Sequence, residues 1–431
     1  MSSKVRNCGT VLVMAVLFAG SLVATAQTMQ FQVRALRGLG GTQTTAYGIN
    51  NLGWVTGGGS LPGDLSEHAL LWRAGTLTDL GTLGGPNSSA GNPLKNDVGL
   101  IQGFSQIKAS DPLGEDWVYD CLELLSGVTQ CQDITRITLG FVWQNNAMTA
   151  LPTLGGNNAQ AWGANDSGQI VGIAETSVRD ASCTPPQILD FEAVIWTPSQ
   201  GLVQELPPYH GDKVGGALGI NALGQVVGAS GACAPISPAI AAHAVLWDNG
   251  KPISMGSLGG KFSNVAYAIN IAGQAVGVSD LKGDNTAHAF LWQSGQGMLD
   301  LGTLPGDFLS VAYSINDLGQ VVGTSCNVKF NCRAFLWQNG SMFDLNALIA
   351  STSSLHLISA NDLNNHGEIV GQAFDQKTGT LPAFIASPNN NDGNSQLEIQ
   401  SRPLIQLPAS LHDRLQQPGL RSFGPWLGEN Q

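Results

Sequence analysis

The polar and apolar positions of this chain repeat as a block. In "VAYSINDLGQVVGTS", residues 311–325, an apolar run is cut by Asn316 and Gly319, and a second apolar run carries Gly323. "AFLW", residues 334–337, follows, then "QNG", then "SMFDL", residues 341–345. Short apolar runs bounded by Asn and Gly predict strands and tight turns, because Asn bonds its own backbone and Gly supplies positive φ. One block therefore predicts four short antiparallel strands, and no segment of helical period with caps intervenes.

The block occurs seven times. Aligned on Asn with Gly three and seven residues later, the copies start at Asn50, Asn96, Asn165, Asn221, Asn270, Asn316 and Asn364, at spacings of 46 to 69 residues. A lone four-stranded sheet this short leaves both faces uncovered, so neighbouring copies must stack. The period suits a propeller blade of about 40–50 residues better than a solenoid coil. The ends decide between them. "FQVRALRGLGG", from Phe31, matches the fourth-strand column "GMLDLGTLPG", whereas the seventh copy stops after its third strand, "PAFIASP". The expected fold is all-β, a seven-bladed β-propeller in which Phe31 to Leu36 supplies the outer strand of the blade built by residues 355–387, removing free sheet edges. The segment "QLEIQ", residues 396–400, competes for the same slot.

Six Trp residues (Trp72, Trp143, Trp196, Trp247, Trp292 and Trp337) share the third-strand column. Packing between blades is the expectation, with an aromatic sugar platform as the alternative. His68, His243 and His288 share another column, which also holds Glu192 and Arg333. Equivalent positions on separate blades point around a ring, so a structural role is expected and no metal site is assigned.

Outside the repeats, residues 1–26 read as a secretory signal: Lys4 and Arg6, an apolar run from Val11 to Leu22, then "VATA" before Gln27. The propeller spans residues 27–388, and residues 389–431 read as a polar linker and C-terminal tail. Cleavage removes two positive charges and no negative ones, taking the formal charge from -12 to -14, which makes nucleic acid a poor partner. No membrane insertion is expected after cleavage, and a monomer is expected. Six cysteines remain, an even number that favours disulfides in an oxidising compartment. Local pairing gives Cys121 with Cys131 and Cys326 with Cys332, which leaves Cys183 to meet Cys233 between adjacent blades.

Candidate chemistry is confined to one loop. Between the last frame Gly and the third-strand column, the second copy has 35 residues where the others have 9 to 19. Loops on a rigid scaffold are where binding usually resides. The insert carries "ASDPLGEDWVYDCLE", with acids at Asp111, Glu115, Asp116, Asp120, Glu123 and Asp133; because they follow no calcium-loop spacing, a solvated acidic loop held by a disulfide is the expectation, with a carbohydrate or cation site as the alternative. Asp116, Trp117 and Tyr119 place two amphipathic aromatics beside hydrogen-bond acceptors and form the candidate ligand-binding site. No catalytic residue, cofactor or metal ligand is assigned: no serine elbow, phosphate loop or assignable carboxylate pair stands out.

The columns "LGTLGG", "AYSIN", "GQVVG" and "HAFLW" together resemble the bacterial HAF-repeat family of extracellular proteins, with "HAF" at His288 to Phe290. The resemblance covers roughly residues 36–386. It implies secretion to the periplasm or beyond and a repeat architecture, and brings no established reaction. The expected function is a secreted binding or adhesion scaffold for an extracellular glycan or protein ligand. The alternative is a secreted glycan hydrolase or lyase with its acids over the propeller channel.

Overall fold

A computed structural model describes residues 30–115, 117, 135–233 and 241–389. Seven four-stranded antiparallel sheets form a ring, a seven-bladed β-propeller. The sixth blade is typical: β22 (Leu309–Ile315), β23 (Val321–Cys326), β24 (Cys332–Gln338) and β25 (Ser341–Asp344) pair in chain order. The seventh is assembled from both ends of the repeat region. Its order is β1 (Phe31–Ala35), β28 (Ala383–Pro388), β27 (Ile369–Asp375), β26 (Leu355–Leu363), with Phe31 opposite Pro388 and Ala35 opposite Phe384. The N-terminal segment thus fills the slot for which 396–400, outside the described residues, competed. Phe31 packs into the seam with Leu345, Leu348 and Ile349 of the sixth blade, and Leu36 joins the core between the seventh and first.

The two frame glycines have separate causes. Gly319 closes the turn at φ +76°, where side chains are strained, and a Cβ on Gly323 would lie 1.9 Å from the Val311 carbonyl oxygen. The frame Asn does more than shape its turn. Asn316 Oδ1 accepts the amides of Leu318 and Gln320 at 3.1 and 3.0 Å, while its Nδ2 donates 3.1 Å to the Asn364 carbonyl on the next blade. Asn364 donates to the Asn50 carbonyl and Asn50 to that of Asn96, and the same step runs from Asn165 through Asn221 and Asn270 to Asn316. Asn96 departs, donating to its own Leu100 carbonyl. A belt of side-chain amides therefore ties blade to blade around one end of the ring.

Replacing buried Asn316 by Ala strands two amides and a neighbouring carbonyl at this belt. Unpaired buried groups cost about 1–3 kcal/mol each, and turn water will recover part. We expect a loss of about 2 kcal/mol in urea unfolding, with Asn316→Asp, which keeps the acceptor, losing less. Equal stability of the Ala variant would show that the belt is incidental.

Near the ring axis, the buried carboxylate of Asp362 ties the innermost strands of the sixth, seventh and first blades to the Leu94–Lys95 segment of the second. It pairs with Lys95 Nζ at 2.5 Å and accepts the Ser314 hydroxyl at 2.5 Å and the Ile49 and Leu94 amides at 2.9 and 3.3 Å.

The Trp column packs between blades. Trp196 and Trp247 are fully buried; Trp72 lies in one core with Val370, Ala383 and Ile385 of the preceding blade, and Trp247 in one with Val171 and Ile195. Indole Nε1 donates across the seam to the carbonyls of Arg37, Pro152 and Pro207 from Trp72, Trp196 and Trp247. Two disulfides are formed among the described residues. Cys183–Cys233 links the loops of the third and fourth blades, and Cys326–Cys332 joins register partners at the ends of β23 and β24. Cys326 and Cys332 thus lie on strands, where the repeat length places them in the variable loop. Cys121 and Cys131 lie outside the described residues.

Candidate functional site: a buried carboxylate cluster under the second-blade insert

The loops joining second and third strands lie against the connections that enter each blade. Asp64 accepts the Thr42 amide at 2.7 Å, Asp284 the Lys261 amide at 2.7 Å, and Arg333 bonds Asp307 at 2.8 Å. Thr42 and Asp307 precede an inner strand and Lys261 stands in the first residues of one, so the variable loops share one face, opposite the Asn belt.

On that face the His column is satisfied blade by blade. His68 bonds Asp79, His288 bonds Asp300 and His243 bonds Asp212, each at 2.9 Å, and Arg333 takes the same place with Asp344 at 3.0 Å. The column does not converge. Its third-blade member is different in sign: Glu192 is buried, its Oε2 has no partner, and Glu205 stands where the first blade has Asp79. Burial, with Asp190 and Glu205 adding repulsion, pushes its carboxyl up to about 8. A carboxyl that binds its proton more tightly when folded favours the folded state at acid pH, and that advantage is lost as pH rises from about 4.5 to about 8. We therefore expect Glu192→Gln to melt above the parent at pH 8 and close to it at pH 4. Equal shifts at both would show that charge at Glu192 plays no part.

Of the candidate ligand residues, Asp116 and Tyr119 lie outside the described residues. Trp117 is fully buried and meets Phe191 edge-on at 5.8 Å between ring centroids, in one core with Ile173, Val214 and Cys233. An enclosed indole has no face for a ligand. Its place is that of an anchor, which carries the second-blade insert across to the third and fourth blades.

Beside this anchor lies a cluster that the sequence does not announce. Asp111 and Glu115 come from the insert and Glu175 from β11 (Ile170–Arg179), and all three are buried. One carboxylate oxygen of each lies within 4.8 Å of the others. Two amides knit them together. Asn158 Nδ2 donates to Asp111 at 2.7 Å and to Glu175 at 3.1 Å, and Gln187 Nε2 donates to Glu115 at 3.1 Å and to Glu175 at 2.9 Å. Glu175 Oε2 also accepts the Asn157 and Asn158 amides, as Asp280 accepts those of Phe262 and Ser263 in the fifth blade, so part of its role is to cap an irregular inner strand. Glu115 Oε1 accepts the amides of Ile188 and Leu189, both at 2.7 Å. Burial, reinforced by Glu115, pushes the Glu175 carboxyl up to about 7.

The signal that could have pointed here is the acid in "IVGIAETS", three residues past a frame Gly and directly after an apolar run. Ser60 and Gln106 occupy that place in the first two blades. A small pocket beside the latter, between first and second blades, is lined by Glu67, Phe104 and Gln106 among others.

No family model and no curated protein matches the chain. Among solved structures it is similar to oligogalacturonate lyase from Vibrio parahaemolyticus, at 10% identity over 84% of this chain and 97% of that one, with a TM-score of 0.45. TolB from Acinetobacter baumannii matches at 10% identity over 78% of this chain and 64% of that one, TM-score 0.40. Trypanosoma rangeli sialidase in complex with sialic acid matches at 11% identity over 73% and 56%, TM-score 0.34.

Proposed function

We propose that the chain is a secreted protein of the HAF-repeat type that works as a binding or adhesion scaffold, contacting an extracellular glycan or protein on the variable-loop face around the second-blade insert. The observation that carries this reading is the fixing of the entry to that insert, at residues 111–115 and 117. That entry, which blade closure does not need, is held by a fully buried Trp117 and Glu115 against the third and fourth blades. A loop held in place before its ligand arrives loses less freedom on binding. Asp116 and Tyr119, flanking the anchor, are the contact residues in this account, and Trp117 is their support. The two described disulfides suit an oxidising compartment, and no helix among the described residues is long and apolar enough to cross a membrane.

Binding is favoured over glycan cleavage because the acid near the axis, Asp362, is committed to Lys95, a hydroxyl and backbone amides, and the three clustered carboxylates are buried. The test is a panel of soluble polysaccharides and bacterial surface preparations presented to the protein without residues 1–26. Retention with no release of reducing ends is expected, and retention should be lost in Asp116→Ala/Tyr119→Ala with little change in melting temperature. Full retention by that double variant removes the site assignment.

A further inference from the structure

Three carboxylates shut away from water must either hold protons or meet a positive partner, and among the described residues no Lys, Arg or His forms an ion pair with Asp111, Glu115 or Glu175. The amides of Asn158 and Gln187 supply hydrogen bonds but no charge. A second observation separates this cluster from an ordinary set of strand caps. Glu115 Oε1 takes every bond donated to that carboxylate, while Oε2, on a residue with no exposed surface, has no hydrogen-bond partner. Another buried acceptor, Gln160 Oε1, is also without a partner; its Nε2 donates 2.6 Å to the Trp117 carbonyl, two residues past Glu115. Orphaned buried acceptors are rare because each forfeits its hydration.

We propose that Asp111, Glu115 and Glu175 bind a hard divalent cation, calcium in the first instance, which latches the second-blade insert onto the third blade. The donors are all oxygens, the set that calcium takes and that zinc or copper sites rarely use. Calcium–oxygen distances of about 2.3–2.6 Å allow ligand oxygens up to roughly 5 Å apart, and the three carboxylates meet that limit at 4.8 Å. Asp111 and Glu115 lie four residues apart at the start of the insert, and Glu175 is 60 residues further along on the neighbouring blade. A bound ion would therefore hold the insert's entry in place and stiffen the loop that carries Asp116 and Tyr119.

The full chain, recovered from an oxidising compartment and treated with chelator, should melt several degrees below the same protein with calcium at about 1 mM, the concentration range of extracellular calcium modules. The gain should saturate with calcium as expected for a ligand of the native state alone. Terbium excited through tryptophan should titrate as one saturable site that calcium displaces. Both signals should vanish in Glu115→Gln, which keeps a bonding oxygen and loses the charge. Should that variant fail to fold, Asp111→Asn, which loses an exchangeable ligand, should fold and bind calcium at least tenfold more weakly. The proposal is overturned if the parent melts identically in chelator and calcium and terbium finds no saturable site, which would leave the carboxylates sharing a proton.

Discussion

Removing residues 27–37 should abolish the cooperative unfolding of the whole propeller or lower its midpoint by roughly 10 °C or more. Those residues contain β1, which provides the outer strand of the seventh blade, five register pairs to β28 and the buried ring of Phe31. Phe31 sits with Leu345, Leu348 and Ile349 of the sixth blade, so the deletion opens that seam as well as a sheet edge. Loss of a buried Phe alone costs about 3–5 kcal/mol, a large part of the 5–15 kcal/mol that holds a typical domain together. The lost strand bonds and the departure of Leu36 add to it. Because the blades pack mainly against their neighbours, the ring's advantage is that it has no terminal blade; cutting the join restores two. An unchanged midpoint in a thermal scan would mean that the seventh blade is completed by another segment.

Trp117→Ala should cost about 3–5 kcal/mol, the range for truncating a large buried aromatic. Its indole is fully enclosed against Phe191, Ile173 and Val214, and the cavity left behind would lie between the third and fourth blades beside the Cys183–Cys233 bridge. That disulfide limits how far the blades can close into the gap. Trp117→Phe should recover part of the loss, since it refills the cavity with a smaller ring. A Trp117→Ala protein as stable as its parent would show that the insert adds nothing to the ring.

The ring itself was legible in the chain because each blade writes its signals locally. Asn316 and Gly319 make a turn within five residues, and the match between "FQVRALRGLGG" and "GMLDLGTLPG" is visible without any three-dimensional information. Half of what Asn316 does was not legible: its bond to the Asn364 carbonyl spans 48 residues and exists only once blades stack. Trp117 misled for a related reason. A Trp among acids reads as a contact residue when its neighbours along the chain are polar, but its surroundings are Phe191 and Val214 from two other blades. The carboxylate cluster was hidden likewise. Asp111 and Glu115 read as members of an acidic loop, and nothing near them in sequence shows that Glu175 and Gln187 wait on the next blade.

The most direct test of the proposed scaffold function replaces residues 111–134 by a loop of the length that the fifth blade uses, 282–286, and measures retention of the protein on the polysaccharide and surface panel. The account predicts a folded ring, somewhat less stable than the parent, that has lost retention. Undiminished retention, or release of reducing ends by the parent protein on the same panel, would contradict it.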